Sequence, residues 1–443
     1  ISAQVSPLQV DTLKETKIPD QWDLQSCIDY AKEQNITIRK NRITAVSTQI
    51  DVKTAKAALF PSLSFSTGHQ VVNRPYQETS SRVSGSEIIS SNSKTSYNGN
   101  YGLNASWTLY NGNKRLKTIQ QEKLNNQMAE LDVATSENNI QESIAQVYIQ
   151  ILYAAESVKV NENTLQVSIA QRDRGQELLN AGSIAKSDLA QLEAQVSTDR
   201  YQLVTAQATL EDYKLQLKQL LELDGENEMN IYLPALSDEN VLAPLPTKRD
   251  VYISALSLRP EIEASKLNVE ASELGINIAK SSYFPTISLS AGIGTNHTSG
   301  SDFTFGEQVK NGWNNSIGLS VSVPIFNNRQ TKSAVQKAKL QYETSMLSLL
   351  DEQKALYKTI ESLWLDANSA QQRYAAANEK LKSTQISYEL ISEQFNLGMK
   401  NTVELLTEKN NLLQAQQEQL QAKYMAILNT QLLKFYQGDQ LAL

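Results

Sequence analysis

The chain has one cysteine, Cys27, in 443 residues, so it can form neither an internal disulfide nor a zinc cluster of the cysteine type. Cys27 is expected to pack as a small apolar residue. Histidine is nearly as scarce. His69 and His297 fall beside or within polar stretches, and nothing near either in sequence supplies further ligands at metal-binding spacing, which argues against a metal site. No run of about 18 apolar residues occurs, which excludes an ordinary transmembrane helix. It does not exclude a transmembrane β-barrel, whose strands alternate. Runs of Lys or Arg are absent, and a net charge of -7 with a pI near 5.2 leaves no electrostatic footprint for nucleic acid. Nucleophile elbow, phosphate loop, metal-binding helix and paired-acid constellation are all missing. The chain therefore reads as non-enzymatic, with no cofactor. An apolar fraction of 40% and a mean hydropathy of -0.40 are modest for this length.

What is present begins with two alternating stretches. In residues 97–109 the odd positions are Tyr97, Gly99, Tyr101, Leu103, Ala105, Trp107 and Leu109, and the even ones are Asn98, Asn100, Gly102, Asn104, Ser106 and Thr108. Residues 313–325 repeat this, with Trp313, Asn315, Ile317, Leu319, Val321, Val323 and Ile325 against Asn314, Ser316, Gly318, Ser320, Ser322 and Pro324. A period of two with one apolar face is that of a half-buried strand.

Residues 1–21 read as an extended lead-in. Helical spacing follows over about 22–59, with a break near Asn35, and ends at Phe60 and Pro61, since proline disfavours helix in the residue before it. Leu63 and Phe65 start a strand. Residues 69–96 read as a long exposed polar loop. Past Gly112 there is no proline until Pro234, and Ile144, Ile151, Val158 and Leu165 recur every seven residues, which is a coiled-coil seam. Asn180, Ala181 and Gly182 give a helix C-terminal signal. Leu189, Leu192, Val196, Leu203, Ala206, Leu210, Tyr213, Leu217 and Leu220 then form the return arm, with Asp199 alone out of character. The first arm, from about 113 to 180, would be about 100 Å long at 1.5 Å per residue. Residues 222–250, with Pro234, Pro244 and Pro246, read as an irregular linker.

After the linker the pattern begins again. Phe284, Pro285, Thr286, Ile287 and Ser288 lie over Phe60, Pro61, Ser62, Leu63 and Ser64 at an offset of 224, and the matching helix runs from Arg259. Residues 293–312 read as a second, shorter polar loop. From there the offset is 216, with Leu319 over Leu103, Phe326 over Tyr110, Trp364 over Tyr148, Gly398 over Gly182, Leu405 over Leu189 and Leu433 over Leu217. A register kept through a strand and a helical hairpin is a tandem duplication. It divides the chain into a first repeat at 22–221, the linker, a second repeat at 251–437 and a short tail at 438–443.

Each repeat thus supplies two amphipathic strands and one long helical hairpin, an α+β membrane architecture. Four strands cannot close a barrel, because an open edge in lipid leaves backbone groups unpaired. Two chains would give eight strands, three twelve and four sixteen. In order and register, over about 22–437, the chain resembles the TolC family of outer-membrane efflux proteins. That resemblance implies a homotrimer, with a shared 12-stranded barrel in outer-membrane lipid continuous with a coiled-coil α-barrel in the periplasm. It also implies a periplasmic adaptor and an inner-membrane transporter as partners. The function implied is an exit duct for drugs or other small molecules, with type I protein secretion the close alternative. A soluble coiled-coil scaffold is the rival of another class, and the apolar strand faces discriminate against it.

The candidate functional residues lie at the hairpin tips. Asp188 and Glu404 each stand six residues past a glycine, with Lys186 and Lys400 nearby. They serve either as helix N-terminal acids or, if three copies converge, as a charged gate. The resemblance places Glu404 and Lys400 at the periplasmic constriction. Many relatives carry a further acid where this chain has Thr407, and neighbouring Glu408 is the substitute at hand. Ala181, Gly182, Ser183, Leu397, Gly398 and Met399 are candidates for adaptor contact, and Tyr97, Tyr101, Trp107 and Trp313 for membrane-interface aromatics.

Overall fold

A computed structural model describes residues 19–76, 80–84, 87–91, 94–224, 229–234, 241–299 and 303–442. The lead-in at 1–18, parts of the linker and of the two polar loops, and residue 443 lie outside the described residues.

The elements run in order α1 (Leu24–Gln34), α2 (Ile36–Ala57), β1 (Ser62–Asn73), β2 (Ser80–Ser84), β3 (Glu87–Ser91), β4 (Thr95–Asn111), α3 (Lys114–Asn180) and α4 (Lys186–Leu220). They continue with α5 (Lys248–Leu258), α6 (Pro260–Lys280), β5 (Thr286–Thr298), α7 (Phe305–Asn311), β6 (Asn314–Ser322), α8 (Gln330–Asn396) and α9 (Thr402–Gln437). Among the described residues no helix is long and apolar enough to cross a membrane. The duplication is visible element by element, since α3 and α8 are both 67 residues long. It also begins earlier than Arg259, because α5 stands over α1 at the same offset of 224 that relates Pro285 to Pro61.

Two compact units result, each drawn from both repeats. One comprises the described residues up to 45, 129–265 and 349–443, and the other comprises 46–128 and 266–348.

The first unit is helical. Asp23 starts α1 by accepting a hydrogen bond from the Ser26 N–H at 2.7 Å. The helix breaks at Asn35, whose backbone leaves helical geometry while its side chain accepts from the Thr37 N–H at 2.9 Å and so starts α2. In the second repeat Thr247 starts α5, and Arg259, followed by Pro260 at the first position of α6, makes the same break. The core gathers Trp22, Cys27, Ile28, Ile144, Tyr148, Ile151, Leu217, Tyr374 and Ile427, and a second cluster gathers Val251, Ala255, Ile262, Ile360 and Leu433. Cys27 is fully buried at the position Val251 takes in the other repeat. Burial pushes its thiol up to about 12, so it is an inert packing residue. Each long helix uses an aromatic donor to hold an extended segment. Tyr148 Oη donates to the Tyr232 carbonyl at 2.6 Å, and Trp364 Nε1 to the Pro246 carbonyl at 2.9 Å.

The second unit carries an antiparallel sheet of order β1-β4-β5-β6. Its register stacks Phe65, Leu103 and Ile293 in one row and Leu63, Ala105, Ala291 and Ile317 in the next, with Trp107, Leu289 and Leu319 alongside. The opposite face is a ladder of Ser62, Ser106 and Ser290, of Ser64 and Asn104, and of Ser288 and Ser320. The expected polar loops are largely structured. β1 runs on to Asn73, β2 and β3 form a separate hairpin, β5 runs to Thr298, and α7 fills the second loop. His69 and His297 therefore sit in paired strands, not in loops. The reason is that ladder hydrogen bonds to a long β4 hold the chain extended even where the side chains are polar.

Candidate functional site at the hairpin tips

Both hairpins turn by the same backbone device. At the end of α3 the Ser183 N–H bonds the Leu178 carbonyl at 2.8 Å and the Gly182 N–H bonds the Leu179 carbonyl at 2.9 Å. At the end of α8, Met399 and Gly398 bond the Gln394 and Phe395 carbonyls, both at 2.9 Å. This double closure needs a left-handed residue, and Gly182 and Gly398 supply φ of +72° and +73°. No other atom comes near either glycine where a side chain would begin. The requirement is conformational, and the space above the turn is open.

Beyond the glycines the tips differ. In the first, the Asp188 carboxylate accepts from the Ala185 N–H at 3.0 Å, and Ala185 has no side chain with which to reciprocate. Lys186 is exposed and makes no ion pair among the described residues. In the second tip, Asn401 Oδ1 accepts from the Glu404 N–H at 2.9 Å and Glu404 Oε2 accepts from the Asn401 N–H at 3.2 Å, a complete capping box. Lys400 Nζ lies 2.6 Å from Glu404 Oε1. Its hydrogen bond, seconded by the Asn401 N–H, holds the Glu404 carboxyl below the usual range. Thr407 Oγ1 donates back to the Val403 carbonyl at 2.7 Å, and Glu408 Oε2 accepts from Ser387 Oγ on the neighbouring arm at 3.1 Å. Glu408 is thus hydrogen-bonded within its own hairpin. Leu397, Met399 and Val403 are 70%, 69% and 58% exposed, whereas the first tip presents the small residues Ala181, Gly182, Ser183 and Ala185.

Behind the tips, one charged group from each hairpin is buried together. Asp199 of α4 and Lys409 of α9, 1% and 3% exposed, form an ion pair, and Ser168 Oγ of α3 bonds both. Gln195 Nε2 donates to the other Asp199 oxygen at 2.9 Å. Burial lowers the Lys409 ammonium from its ordinary value while Asp199 opposes that shift. Gln171 Nε2 adds a bond to Tyr388 Oη at 2.8 Å. The sequence flagged Asp199 as out of character and left Lys409 unremarked. The available signal was a lysine four residues past Leu405 and four before Leu413, on the apolar seam of α9.

At the sheet, Trp107 Nε1 donates to the Leu59 carbonyl at 2.7 Å, at the end nearest α2. Tyr97, Tyr101 and Trp313 lie toward the loop-bearing end.

The profile of the family described as "Outer membrane efflux protein" matches residues 27–222 and 251–438, the two repeats in succession. The chain belongs to the outer membrane efflux protein family. Membership places it in the bacterial outer membrane. It is 24% identical over 294 residues to the outer membrane efflux protein BepC of Brucella suis, an alignment covering 66% of this chain and 61% of that protein. It is also 24% identical over 294 residues to the outer membrane protein TolC of Escherichia coli, covering 64% and 58%. These alignments span about three fifths of the relatives' lengths. Among solved structures, CusC superposes with a TM-score of 0.80 at 18% identity, covering 94% of this chain and 92% of that one. At that identity the likeness speaks to fold.

Proposed function

We propose that the chain is one third of an outer-membrane exit duct in a tripartite export system, passing drugs or other small molecules received from a periplasmic adaptor and an inner-membrane transporter. The observation that carries this reading is the sheet. One face is apolar, the other is a ladder of Ser and Asn, and the edge strands β1 and β6 each have a single partner strand among the described residues. Such a sheet in lipid must close on other copies of itself. An even number of antiparallel strands lets β6 of one copy meet β1 of the next antiparallel as well. From Tyr97 to Trp107 the strand covers about 33 Å at 3.3 Å per residue. At a tilt of about 40° that is about 25 Å of membrane, the height of an outer-membrane apolar band. Three copies, twelve strands, follow the family resemblance.

In this reading Asp188 and Glu404 stand at the periplasmic mouth with Lys186 and Lys400. The Lys400–Glu404 pair keeps the second tip near neutral charge, so that three copies can converge there. The exposed Leu397, Met399 and Val403, with the small first tip, are the adaptor-facing surface.

The test is twofold. Detergent-solubilised protein should have three times the 49.3 kDa chain mass and form ion channels in planar bilayers. Asp188→Ala with Glu404→Ala should change conductance and cation preference by severalfold. A monodisperse monomer in plain buffer would favour a scaffold, and unchanged conductance in the double variant would remove the gate assignment.

A further inference from the structure

The chain's two histidines are brought together by the sheet. His69 in β1 and His297 in β5 both pair in register with Gly99 of β4, one from each side, so the three positions form a single row across three strands. The pairing is not a product of the duplication. The offset of 224 that relates these strands takes His69 to Ile293 and Asn73 to His297, so neither histidine is the other's counterpart.

Gly99 is what allows the two rings to converge. A Cβ at this position would stand 2.6 Å from His297 Nδ1 and 2.3 Å from its Cε1, and 3.2 Å from His69 Nδ1. Both rings therefore lean over the glycine, and no more than about 6 Å separates the two Nδ1 atoms. Glycine weakens a strand interior unless something must approach its backbone closely, and here two imidazoles do.

The nitrogens are also oriented. His69 Nε2 lies 3.1 Å from Thr67 Oγ1, and His69 Nδ1 lies 2.8 Å from Tyr97 Oη. With Nε2–H donating to Thr67, Nδ1 carries the lone pair and accepts from the Tyr97 hydroxyl, a bond that an ion would replace; the Thr67 bond is the outer-shell arrangement that fixes a metal-binding imidazole. Among the described residues, His297 Nδ1 is buried from solvent and has no hydrogen-bond partner. Its ring is held edge-on by Phe305 at 4.9 Å and flanked by Tyr97 at 5.3 Å and Tyr101 at 6.0 Å. A buried, unpartnered imidazole nitrogen facing a second imidazole, with a phenol oxygen beside them, is a donor set awaiting an acceptor of lone pairs.

We propose that His69 Nδ1 and His297 Nδ1, with the Tyr97 hydroxyl alongside, bind a late first-row divalent cation such as Cu2+ or Zn2+ on the apolar face at the loop-bearing end of the sheet. Imidazole nitrogen selects these ions over Mg2+ and Ca2+, which take oxygen ligands. Nitrogens on one such ion stand about 3–4 Å apart for metal–nitrogen bonds near 2.0–2.1 Å. A modest rotation of the unpartnered His297 ring supplies that closure. Two imidazoles leave coordination positions for Tyr97 or water, so the site is exchangeable and not a structural cage. The proposal is independent of what the duct carries.

The experiment titrates Cu2+ into the detergent-solubilised assembly, reading heat and the electron paramagnetic resonance spectrum. One ion per chain is expected, with two-nitrogen coupling, and the affinity should fall at least tenfold in His69→Ala and in His297→Ala alike. Gly99→Ala keeps both ligands but drives its new Cβ into the His297 ring, and should weaken binding comparably. Equal affinity in the wild type and either histidine variant would overturn the proposal, as would binding in Gly99→Ala undiminished from wild type. Should a variant fail to assemble, the unmodified protein decides. Cu2+ should protect both histidines together from carbethoxylation by diethyl pyrocarbonate, and protection of one alone or of neither would overturn the assignment.

Discussion

The two repeats of this chain share a backbone and differ in their joints. Both carry a 67-residue helix, a glycine turn and a return arm in the same register, yet equivalent positions hold opposite chemistry. Asn35 stands where Arg259 does, Glu222 where Gly438 does, Asp199 where Ala415 does, Lys409 where Glu193 does, and Ala185 where Asn401 does. The duplicated apolar seam sets the architecture. Outside the polar loops and the strands that flank them, the differences that decide a local conformation lie at helix breaks, helix ends and one buried charge pair.

The sharpest break is in the buried pair, because neither member has a counterpart in the other repeat. Lys409→Met leaves Asp199 buried and charged without its counter-ion, a loss of about 3–5 kcal/mol. Adding Asp199→Leu should recover most of it, since the desolvation of both charges is then removed. Chemical unfolding of the single and double variants in detergent measures the difference. A double variant as unstable as the single would show that the pair does not act as a unit.

Next come the two helix breaks. Arg259 donates to Glu142 at 2.7 Å and stacks 3.6 Å over the Tyr436 ring, buried on all sides, so Arg259→Ala removes a cation, a stacking surface and a packed volume. A loss of about 3 kcal/mol is expected. Asn35 does the same work with hydrogen bonds alone, to the Leu220 carbonyl at 3.0 Å and from the Thr37 N–H. Asn35→Ala should therefore cost only about 1–2 kcal/mol. The same unfolding assay ranks them, and a reversed order would mean that the stacked cation contributes little.

The ends of the return arms differ less. Gly438 holds φ of +104° and a Cβ there would meet Leu258 Cδ1 at 2.7 Å, so Gly438→Ala should lose about 1–2 kcal/mol. Glu222 adopts φ of +56° without being glycine, and its carboxylate accepts from the Ile36 N–H at 3.2 Å to cap α2. Glu222→Gly should be near neutral, because relief of backbone strain offsets the lost cap. A clearly destabilised Glu222→Gly, by more than about 1 kcal/mol, would show that the cap outweighs the strain.

Much of this was legible in the sequence. Period-two alternation gave β4 and the body of β6, which starts at Asn314 and stops at Ser322 short of the expected Ile325 because Pro324 has no N–H for the ladder; the missing prolines gave the long helices, and Asn35 marked the first break. The strand extensions through His69 to Asn73 and to Thr298 were not legible, because ladder hydrogen bonding to β4 and not side-chain pattern keeps those residues extended. The helix α7, by contrast, carries a local signal. Thr304 and Glu307 form a capping box, with the Glu307 N–H on Thr304 Oγ1 at 3.4 Å and Glu307 Oε2 accepting from the Thr304 N–H at 2.8 Å. The convergence of the histidines over Gly99 depends on strand order β1-β4-β5, which no local pattern encodes.

The smallest expected effect lies at the tips. The first return arm starts at Ala185, where Asp188 bonds the Ala185 N–H but the N–H of Asp188 reaches only the Ala185 carbonyl at 3.1 Å, with no side-chain acceptor, whereas Asn401 and Glu404 close both side-chain bonds. Ala185→Asn installs the missing acceptor and should stabilise the start of α4 by about 0.5–1 kcal/mol. Global unfolding will barely register this, so amide hydrogen exchange at residues 186–189 is the appropriate measurement, with slowing of about twofold to fivefold expected at 1.4 kcal/mol per tenfold. If exchange at the first tip already matches that at the second before substitution, the two tips are equally ordered. The asymmetry in capping would then have no dynamic consequence.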